Sequence, residues 1–479
     1  MDIMDLASKG IKKITSAYGK KIIKKGAAPE IRSTEPEIIR GRSYCAGFAK
    51  EEIMPVESKH TYYIAGHGSG HKMEGVLSPV YVHAMYIGCV DGGGILWLSA
   101  DIVGLTNIEV NIIRKRIFDS KKIPGLRAVN FSCTHSHSGI DTVGYWGKAN
   151  ALGIPSDGKV PEYMEALYEK SLKTSIKAYE NSVPGKLFRG EAPIPNGLTT
   201  NRKIADRHEI LYRLRFQPDD GSAQTWIINI GAHPNSLGGG NRLLSGEYPY
   251  YMREKISAEA GANVLFGVGA IGGMDAAKLD DDNPANMVRL QGELFARAAM
   301  GIENETELLP EIKFVRRQFY MPVCNSVLLL LAMRGTMSFK AFACPESDTG
   351  VALKTELTYM CFGSQKILLL PGESFVNTVY GGYNSEKDSA TGKGAEVNPA
   401  PLCDIAEDKS LIVFGVSNDM TGYVVPLNDF VLNKTQPYLN PTNDRLGDRH
   451  YHETNSMGPG AQRVIAQEFK KAVSALNAQ

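Results

Sequence analysis

The chain has 479 residues, of which 43% are apolar, so it is long enough to bury a large core. Its formal net charge is only +1. A near-neutral chain with no zinc finger, no RNA-binding signature and no basic stripe beyond its N-terminus is not expected to bind nucleic acid.

The cysteines and the apolar stretches predict the cellular compartment in which the protein resides. Seven widely spaced cysteines, an odd number with no Cys-x-x-Cys pair, predict mostly buried free thiols in a reducing environment. No apolar stretch near the N-terminus has the length of a signal peptide, and the longest apolar run, residues 326–333, is too short to span a membrane. We therefore expect a cytoplasmic protein.

Residues 1–40 differ from the rest of the chain because they are rich in lysine. Among the lysines, apolar residues recur at spacings of three and four: Ile11, Ile14, Tyr18 and Ile22. This pattern predicts a basic amphipathic helix within residues 1–25, followed by a linker to about Arg40. Such a helix can attach the protein peripherally to an anionic membrane, or it can pack on its own domain or a partner, or remain a solvated tail.

Beyond residue 40, strand-like apolar runs alternate with helical patterns. The predicted helices cover residues 109–118, 161–179, 248–260 and 287–300. This alternation predicts an α/β fold with a mixed, largely parallel β-sheet flanked by helices. Strands near residues 313–322 and 350–363 have no long helix between them, so part of the sheet is expected to be antiparallel. We expect residues 41–479 to form a single catalytic domain, because the candidate site draws on both halves of the chain.

Five apolar runs end in side chains that can bind a metal or transfer a proton. They lead to Asp101, to the pair His135 and His137, to His233, to Glu373, and to the segment Asn418–Tyr423. In open α/β sheets, ligands bind beyond the carboxyl ends of the strands, so these residues are expected to converge. Alternatively, an isolated His-x-His pair can be two polar side chains exposed to solvent at the end of a strand.

The types of these residues indicate which metal they would bind. Two positions apart on an extended backbone, His135 and His137 are expected to point to the same side. His135, His233 and Glu373 supply two imidazoles and one carboxylate, which suits a catalytic zinc with one open position. Asp101 is expected to accept a hydrogen bond from a metal-bound imidazole.

The motifs at these strand ends resemble those of the neutral ceramidases, zinc amidases that hydrolyse the N-acyl bond of ceramide. The family's Thr-His-Thr-His-Ser-Gly motif corresponds to residues 134–139, and its Pro-Gly-Glu motif to residues 371–373. Its His-Pro-Thr-Ser segment resembles residues 233–236, and its Asn-x-Tyr-x-x-Tyr segment resembles residues 418–423. The similarity extends from about residue 40 to about residue 475.

The resemblance implies a role for each site residue. It implies Zn²⁺ held by His135, His233, Glu373 and Tyr423, with His137 and Arg202 facing an N-acyl lipid substrate such as ceramide. Two alternatives remain open. Tyr423 can be a packed side chain rather than a ligand, and His137 can merely orient a neighbour.

Two departures from the family leave the substrate open. Asp275 stands where the family has a serine to which a catalytic role has been assigned, so the candidate catalytic residues are His137, Arg202, Asp275 and Tyr423. The chain also stops where the family continues into an immunoglobulin-like domain. A more polar N-acyl substrate, or an idle binding relative, is therefore an alternative. Asp275 can instead cap a helix that begins at residues 276–278.

Overall fold

The computed structural model describes residues 3–32, 34–150, 153–201, 207–281 and 283–479. In chain order, its α-helices are α1 Ile3–Lys24, α2 Asn107–Ser120, α3 Pro161–Glu180, α4 Glu247–Ala260, α5 Pro284–Met300, α6 Ser326–Met333, α7 Val376–Tyr380, α8 Leu402–Ile405 and α9 Gly460–Asn477. The four helices predicted between residues 109 and 300 are confirmed as α2, α3, α4 and α5.

The strands form two large sheets and several short pairs. In chain order, the strands are β1 Glu37–Arg40, β2 Tyr44–Glu52, β3 Gly75–Val76, β4 Tyr81–Cys89, β5 Gly93–Ala100, β6 Leu126–Cys133, β7 Val183–Pro193, β8 Thr199–Asn201, β9 Ile210–Pro218, β10 Thr225–Ile230, β11 Leu243–Leu244, β12 Asn263–Val268, β13 Met274–Ala276, β14 Glu305–Leu308, β15 Glu311–Pro322, β16 Phe342–Ala343, β17 Val351–Phe362, β18 Gln365–Leu369, β19 Glu373–Ser374, β20 Ile412–Phe414, β21 Tyr423–Val424, β22 Thr442–Asn443 and β23 Arg449–His450. One large sheet has the order β12-β10-β9-β7-β2-β4-β5-β6, with β14 beside β7, and the other has the order β1-β15-β17-β18-β20, with β16 beside β17.

The predicted mixed α/β fold is confirmed, but the sheets are less parallel than expected. Within the described residues, the parallel neighbours in the large sheets are β5 with β6, β10 with β12, and β18 with β20. Each of these pairs is joined by a connection that contains a helix, as parallel neighbours require. The other neighbours in the large sheets run antiparallel, including the pair β15 and β17, for which the sequence predicted antiparallel pairing.

The two large sheets pack against each other, so the molecule has four layers rather than one sheet between helices. Side chains alternate along β5, where Leu96 and Leu98 face helices α2–α5 while Ile95 and Trp97 face the other sheet. Along β18, likewise, Leu368 faces the helices of the C-terminal half and its neighbours face the first sheet. Because strands in this arrangement are covered on both faces, they are apolar throughout, and the sequence alone did not distinguish one covered sheet from two.

The N-terminal helix α1 lies against the domain. Ser8, Thr15 and Gly19 are buried on its inner face, while Tyr18 and Ile22 pack at the edge of the core on the α6 side. Ile14, predicted on the same apolar stripe, is 52% exposed on the other side. At the end of the predicted linker, β1 pairs with β15. The division of the chain at residue 40 stays a prediction.

All seven cysteines are free thiols and are fully or partly buried, as predicted. No helix in the part of the chain that the structure describes is both long and apolar enough to cross a membrane.

Candidate metal centre

The predicted ligands converge at the carboxyl ends of the parallel strands. His135 and His137 follow β6, His233 follows β10, and Glu373 lies in β19 directly after β18. The histidines come from one large sheet and the glutamate follows a strand of the other. The site is therefore assembled by both sheets. The sequence predicted that both halves of the chain contribute to the site, but it predicted a single sheet.

The two histidines after β6 meet, although the backbone is not extended there. His135 has a φ of +60°, the left-handed region that non-glycine residues rarely adopt. The rings of His135 and His137 are nevertheless 4.8 Å apart, and their Nε2 atoms are 3.2 Å apart. The prediction that both rings face one side is confirmed, but strand alternation is not the cause. Backbone strain of this kind is often retained at functional sites.

Backbone carbonyls fix the orientation of two imidazoles. Nδ1 of His135 donates to the carbonyl of Val103 at 2.7 Å, and Nδ1 of His233 donates to the carbonyl of Met274 at 2.9 Å. Because a carbonyl only accepts, the proton of each neutral ring lies on Nδ1, and the lone pair on Nε2 points into the site. Outer partners of this kind orient metal-binding histidines.

Asp101 was predicted to be such a partner, and the structure places it elsewhere. Its carboxylate accepts from Arg253 at 2.6 Å and from the backbone NH of Tyr81 at 3.0 Å. It forms a buried ion pair between β5 and α4. The ligand-orienting role that was predicted for it belongs to the backbone of Val103 and Met274.

The Glu373 carboxylate completes a cluster of electron-pair donors. Its Oε2 lies 2.9 Å from Nε2 of His233 and 3.5 Å from Nε2 of His135. Burial alone would raise the pKa of Glu373, but the two neighbouring imidazoles outweigh burial and hold it well below its usual range. An ionised carboxylate facing two imidazole lone pairs requires a positive charge between them, either a proton or a metal ion.

The cluster fits a metal ion. The ligand atoms of His135, His137 and His233 all lie within 4.8 Å of one another, and all three side chains are buried. Two fixed imidazoles, a third imidazole and an ionised carboxylate form a donor set that suits zinc.

His137 differs from the other two histidines. Within the described residues its Nδ1 is buried and accepts or donates no hydrogen bond, so its ring is not fixed from behind. Burial, together with the charges of His135, His233 and His67, lowers the pKa of His137 well below its usual value. The ring of His67 lies 5.0 Å away. His67 lies in the glycine-rich loop of residues 66–70, which the structure brings next to His137.

Tyr423 lies beside Glu373. The two residues are paired in register where β19 and β21 run parallel, and the Tyr423 ring is 6.4 Å from that of His233. Tyr423 is buried. Its assignment as a ligand stays a prediction.

Asp275 borders the cavity, but it does not cap a helix. It lies in β13, and its Oδ1 accepts from Nδ2 of Asn235 at 2.9 Å and is 3.7 Å from Nδ1 of His233. The next helix, α5, begins at Pro284 with Asn283 as its cap. The helix-cap alternative is therefore wrong. Arg202, the other predicted substrate contact, lies outside the described residues.

Glu247 is a residue that the sequence analysis missed. At the start of α4 it is fully buried, with a φ of +53°. It accepts from the hydroxyl of Ser138 at 2.8 Å and from the backbone NH of Leu237 at 3.4 Å, so it joins the loops that carry His137 and His233. Burial raises the pKa of Glu247 to about 7 despite these hydrogen bonds.

A cavity of about 700 Å³ opens onto the cluster. One end is polar and is lined by His135, His137 and Glu373 together with Asn235 and Asp275. The other end is mostly apolar, and its lining includes Ile11, Val327, Leu328, Leu330, Leu331 and Met337. A cavity of this size can hold a molecule with a polar head and an apolar chain.

No protein-family model and no curated protein matches the sequence. Among solved structures, neutral ceramidase from Pseudomonas aeruginosa is similar, with a TM-score of 0.69 and 17% identity over 91% of this chain and 75% of that chain. The chain has the neutral ceramidase fold. A ceramidase complexed with C2 is also similar, with a TM-score of 0.66, 16% identity and the same coverage of both chains. The resemblance read from the motifs is thus confirmed at the level of the ceramidase fold.

Proposed function

We propose that this protein is a zinc-dependent hydrolase that cleaves the amide bond of an N-acyl lipid such as ceramide. One observation carries the proposal: two oriented imidazoles and an ionised carboxylate converge at the polar end of a cavity whose other end is apolar. The ceramidase fold supports it, because two similar solved structures are ceramidases.

In this proposal His135, His233 and Glu373 hold the metal, with Tyr423 as the fourth ligand. Bound zinc would lower the pKa of its water from about 15.7 towards about 7 and so supply a nucleophile at neutral pH. The buried backbone carbonyls behind His135 and His233 keep both rings in the tautomer that binding needs.

His137 is the proposed proton carrier. Its lowered pKa keeps the imidazole neutral at pH 7, so its Nε2 can accept a proton during attack and deliver it to the leaving amine. Arg202, assigned by the family resemblance alone, would stabilise negative charge on the amide oxygen. The apolar lining would hold the acyl chain.

The experiment is a hydrolysis assay on a panel of N-acyl amides that vary separately in head and chain. We expect release of fatty acid, loss of turnover in a chelator and recovery with zinc. Turnover that a chelator leaves unchanged would overturn the zinc mechanism. Absence of turnover on every N-acyl compound, with zinc bound, would instead favour an idle binding relative.

A more polar substrate is the second candidate, and Asp275 is the observation that favours it. Its carboxylate borders the cavity at the polar end and is one-fifth exposed. A carboxylate there would repel anionic heads and favour an amine or a hydroxyl-rich head. Asp275→Ser should then shift preference towards ceramide by roughly tenfold. An unchanged preference, with ceramide the best wild-type substrate, would reject this candidate.

We also propose a cytoplasmic location, because all seven thiols are free. Peptide mapping that finds the thiols paired in protein from its native source would contradict this proposal.

A further inference from the structure

Helix α1 is held to the domain by a face of small residues. Gly19 packs so closely on β17 and the turn before it that a methyl group there would collide with the carbonyl of Thr349. Thr15 is fully buried, and Asp5 accepts a hydrogen bond from Gln436 at 2.8 Å. The helix therefore has a fixed orientation, and its outer face is defined.

The outer face of α1 carries an apolar stripe. Ile3, Leu6 and Ile14 are 74%, 53% and 52% exposed. With Gly10 and Ala17 they recur at spacings of three and four, and so they line one side of the helix. This stripe is opposite the buried face and makes no contribution to the core. Scattered exposed apolar residues are common, but an ordered stripe on a docked helix is not.

Positive charge surrounds the stripe. Residues 3–25 contain seven lysines against the single acidic residue Asp5: Lys9, Lys12, Lys13, Lys20, Lys21, Lys24 and Lys25. The chain as a whole is close to neutral, so this positive charge is local. Long lysine side chains can reach lipid phosphates while the apolar stripe enters the acyl boundary.

The same helix borders the substrate cavity. Ile11, on the side of α1 that faces the domain, lines the apolar end together with leucines of α6. We propose that the outer face of α1 binds an anionic lipid surface and so holds the apolar end of the cavity close to the lipid phase. The use of this contact, supply of an N-acyl lipid, rests on the proposed function, whereas the binding itself does not.

The test measures sedimentation of the full chain with vesicles of phosphatidylcholine, with or without phosphatidylserine. We expect salt-sensitive binding that requires phosphatidylserine. The double variants Leu6→Glu/Ile14→Glu and Lys13→Glu/Lys20→Glu should each weaken it by roughly tenfold or more. None of these residues lines the cavity, so turnover of a short, water-soluble N-acyl amide should stay at the wild-type level.

Matched control variants carry the same kinds of substitution on surfaces outside α1. Leu309→Glu alters an exposed leucine between β14 and β15, and Lys122→Glu/Lys177→Glu reverses two exposed lysines. These controls should bind as the wild type does. Equal binding to vesicles with and without phosphatidylserine, or equal loss in the controls, would overturn the proposal.

A second copy of the chain is the rival occupant of the outer face. If the wild type sediments as a dimer and Leu6→Glu/Ile14→Glu as a monomer, the face is a protein interface and the membrane proposal fails. If the wild type binds vesicles through α1 but hydrolyses no N-acyl compound, the proposed function fails and this inference stands.

Discussion

The polar and apolar ends of the cavity are built on different principles. At the polar end, each proposed metal ligand lies at or just beyond the end of a strand, and the backbone carbonyls of Val103 and Met274 orient two of the rings. At the apolar end, the lining comes from α1, from α6 and from irregular segments. A metal site of the kind proposed needs one geometry, whereas an acyl chain needs only volume and low polarity. Short motifs therefore mark the first end, and no motif marks the second.

The largest effect is expected from removing a ligand at the polar end. His135→Ala should lower kcat/KM by on the order of a thousandfold or more for every substrate, because the nucleophile is lost. Steady-state rates on substrates with short and long acyl chains would check this. A loss confined to one chain length would show that His135 acts through substrate fit.

The next effect separates His137 from the ligands. His137→Ala should lower kcat by about a hundredfold to ten-thousandfold, with zinc content unchanged, because the proton carrier is lost while the oriented ligands remain. Rates and metal analysis on the same preparation would check this. If the variant lost zinc as well as activity, His137 would have to be a metal ligand.

A change at the apolar end should alter chain-length preference alone. Leu330→Trp, in α6, should reduce kcat/KM for long-chain substrates relative to short-chain ones by roughly tenfold, because it fills part of the cavity. Leu290→Trp, at an exposed position of α5, is the matched control. An equal loss of kcat/KM for substrates of every chain length would contradict the assignment of this end of the cavity to the acyl chain.

The smallest effect concerns Glu247 and appears in stability rather than rate. Its pKa is raised from 4.5 to about 7 in the folded protein, so the folded state binds the extra proton between these values. This contribution is complete below pH 4.5 and is lost as pH rises through 7. Relative to Glu247→Gln, the wild type should lose up to about 3 kcal/mol of unfolding free energy across this range.

Denaturant unfolding of both proteins from pH 5 to 8 would measure this difference. Asp419, whose burial also raises its pKa to about 7, is present in both and cancels. If the difference in unfolding free energy between the two proteins does not change with pH, Glu247 does not titrate in this range.

The sequence predicted which side chains form the site better than it predicted the groups that hold them in position. Motifs at strand ends singled out His135, His233 and Glu373, which the structure brings together, since ligand chemistry restricts residue type. The left-handed backbone at His135 and the carbonyl partners have no signature in residue type. Glu247 was missed because its hydrogen-bond partners Ser138 and Leu237 lie 109 and 10 residues away in the chain.

The fold was predictable where local pattern determines structure and less so where packing does. The helical periodicity located α2–α5, and the alternation with strands gave the α/β class. Pairing of two sheets depends on contacts between distant strands, such as Trp97 of β5 with Phe414 of β20, whose rings are 4.6 Å apart. Likewise, periodicity grouped Ile14 with Tyr18 and Ile22 on one apolar stripe of α1, whereas Gly19 and Thr15 define the buried face.

Metal content tests the central claim most directly. Full-length protein purified without chelator should contain about one zinc per chain, His137→Ala should contain the same amount, and His135→Ala and Glu373→Gln should contain little. Elemental analysis of the four proteins at matched folding, checked by circular dichroism, gives the answer. A wild type without transition metal, or equal zinc in wild type and His135→Ala, would contradict the assignment of this cluster as the metal centre.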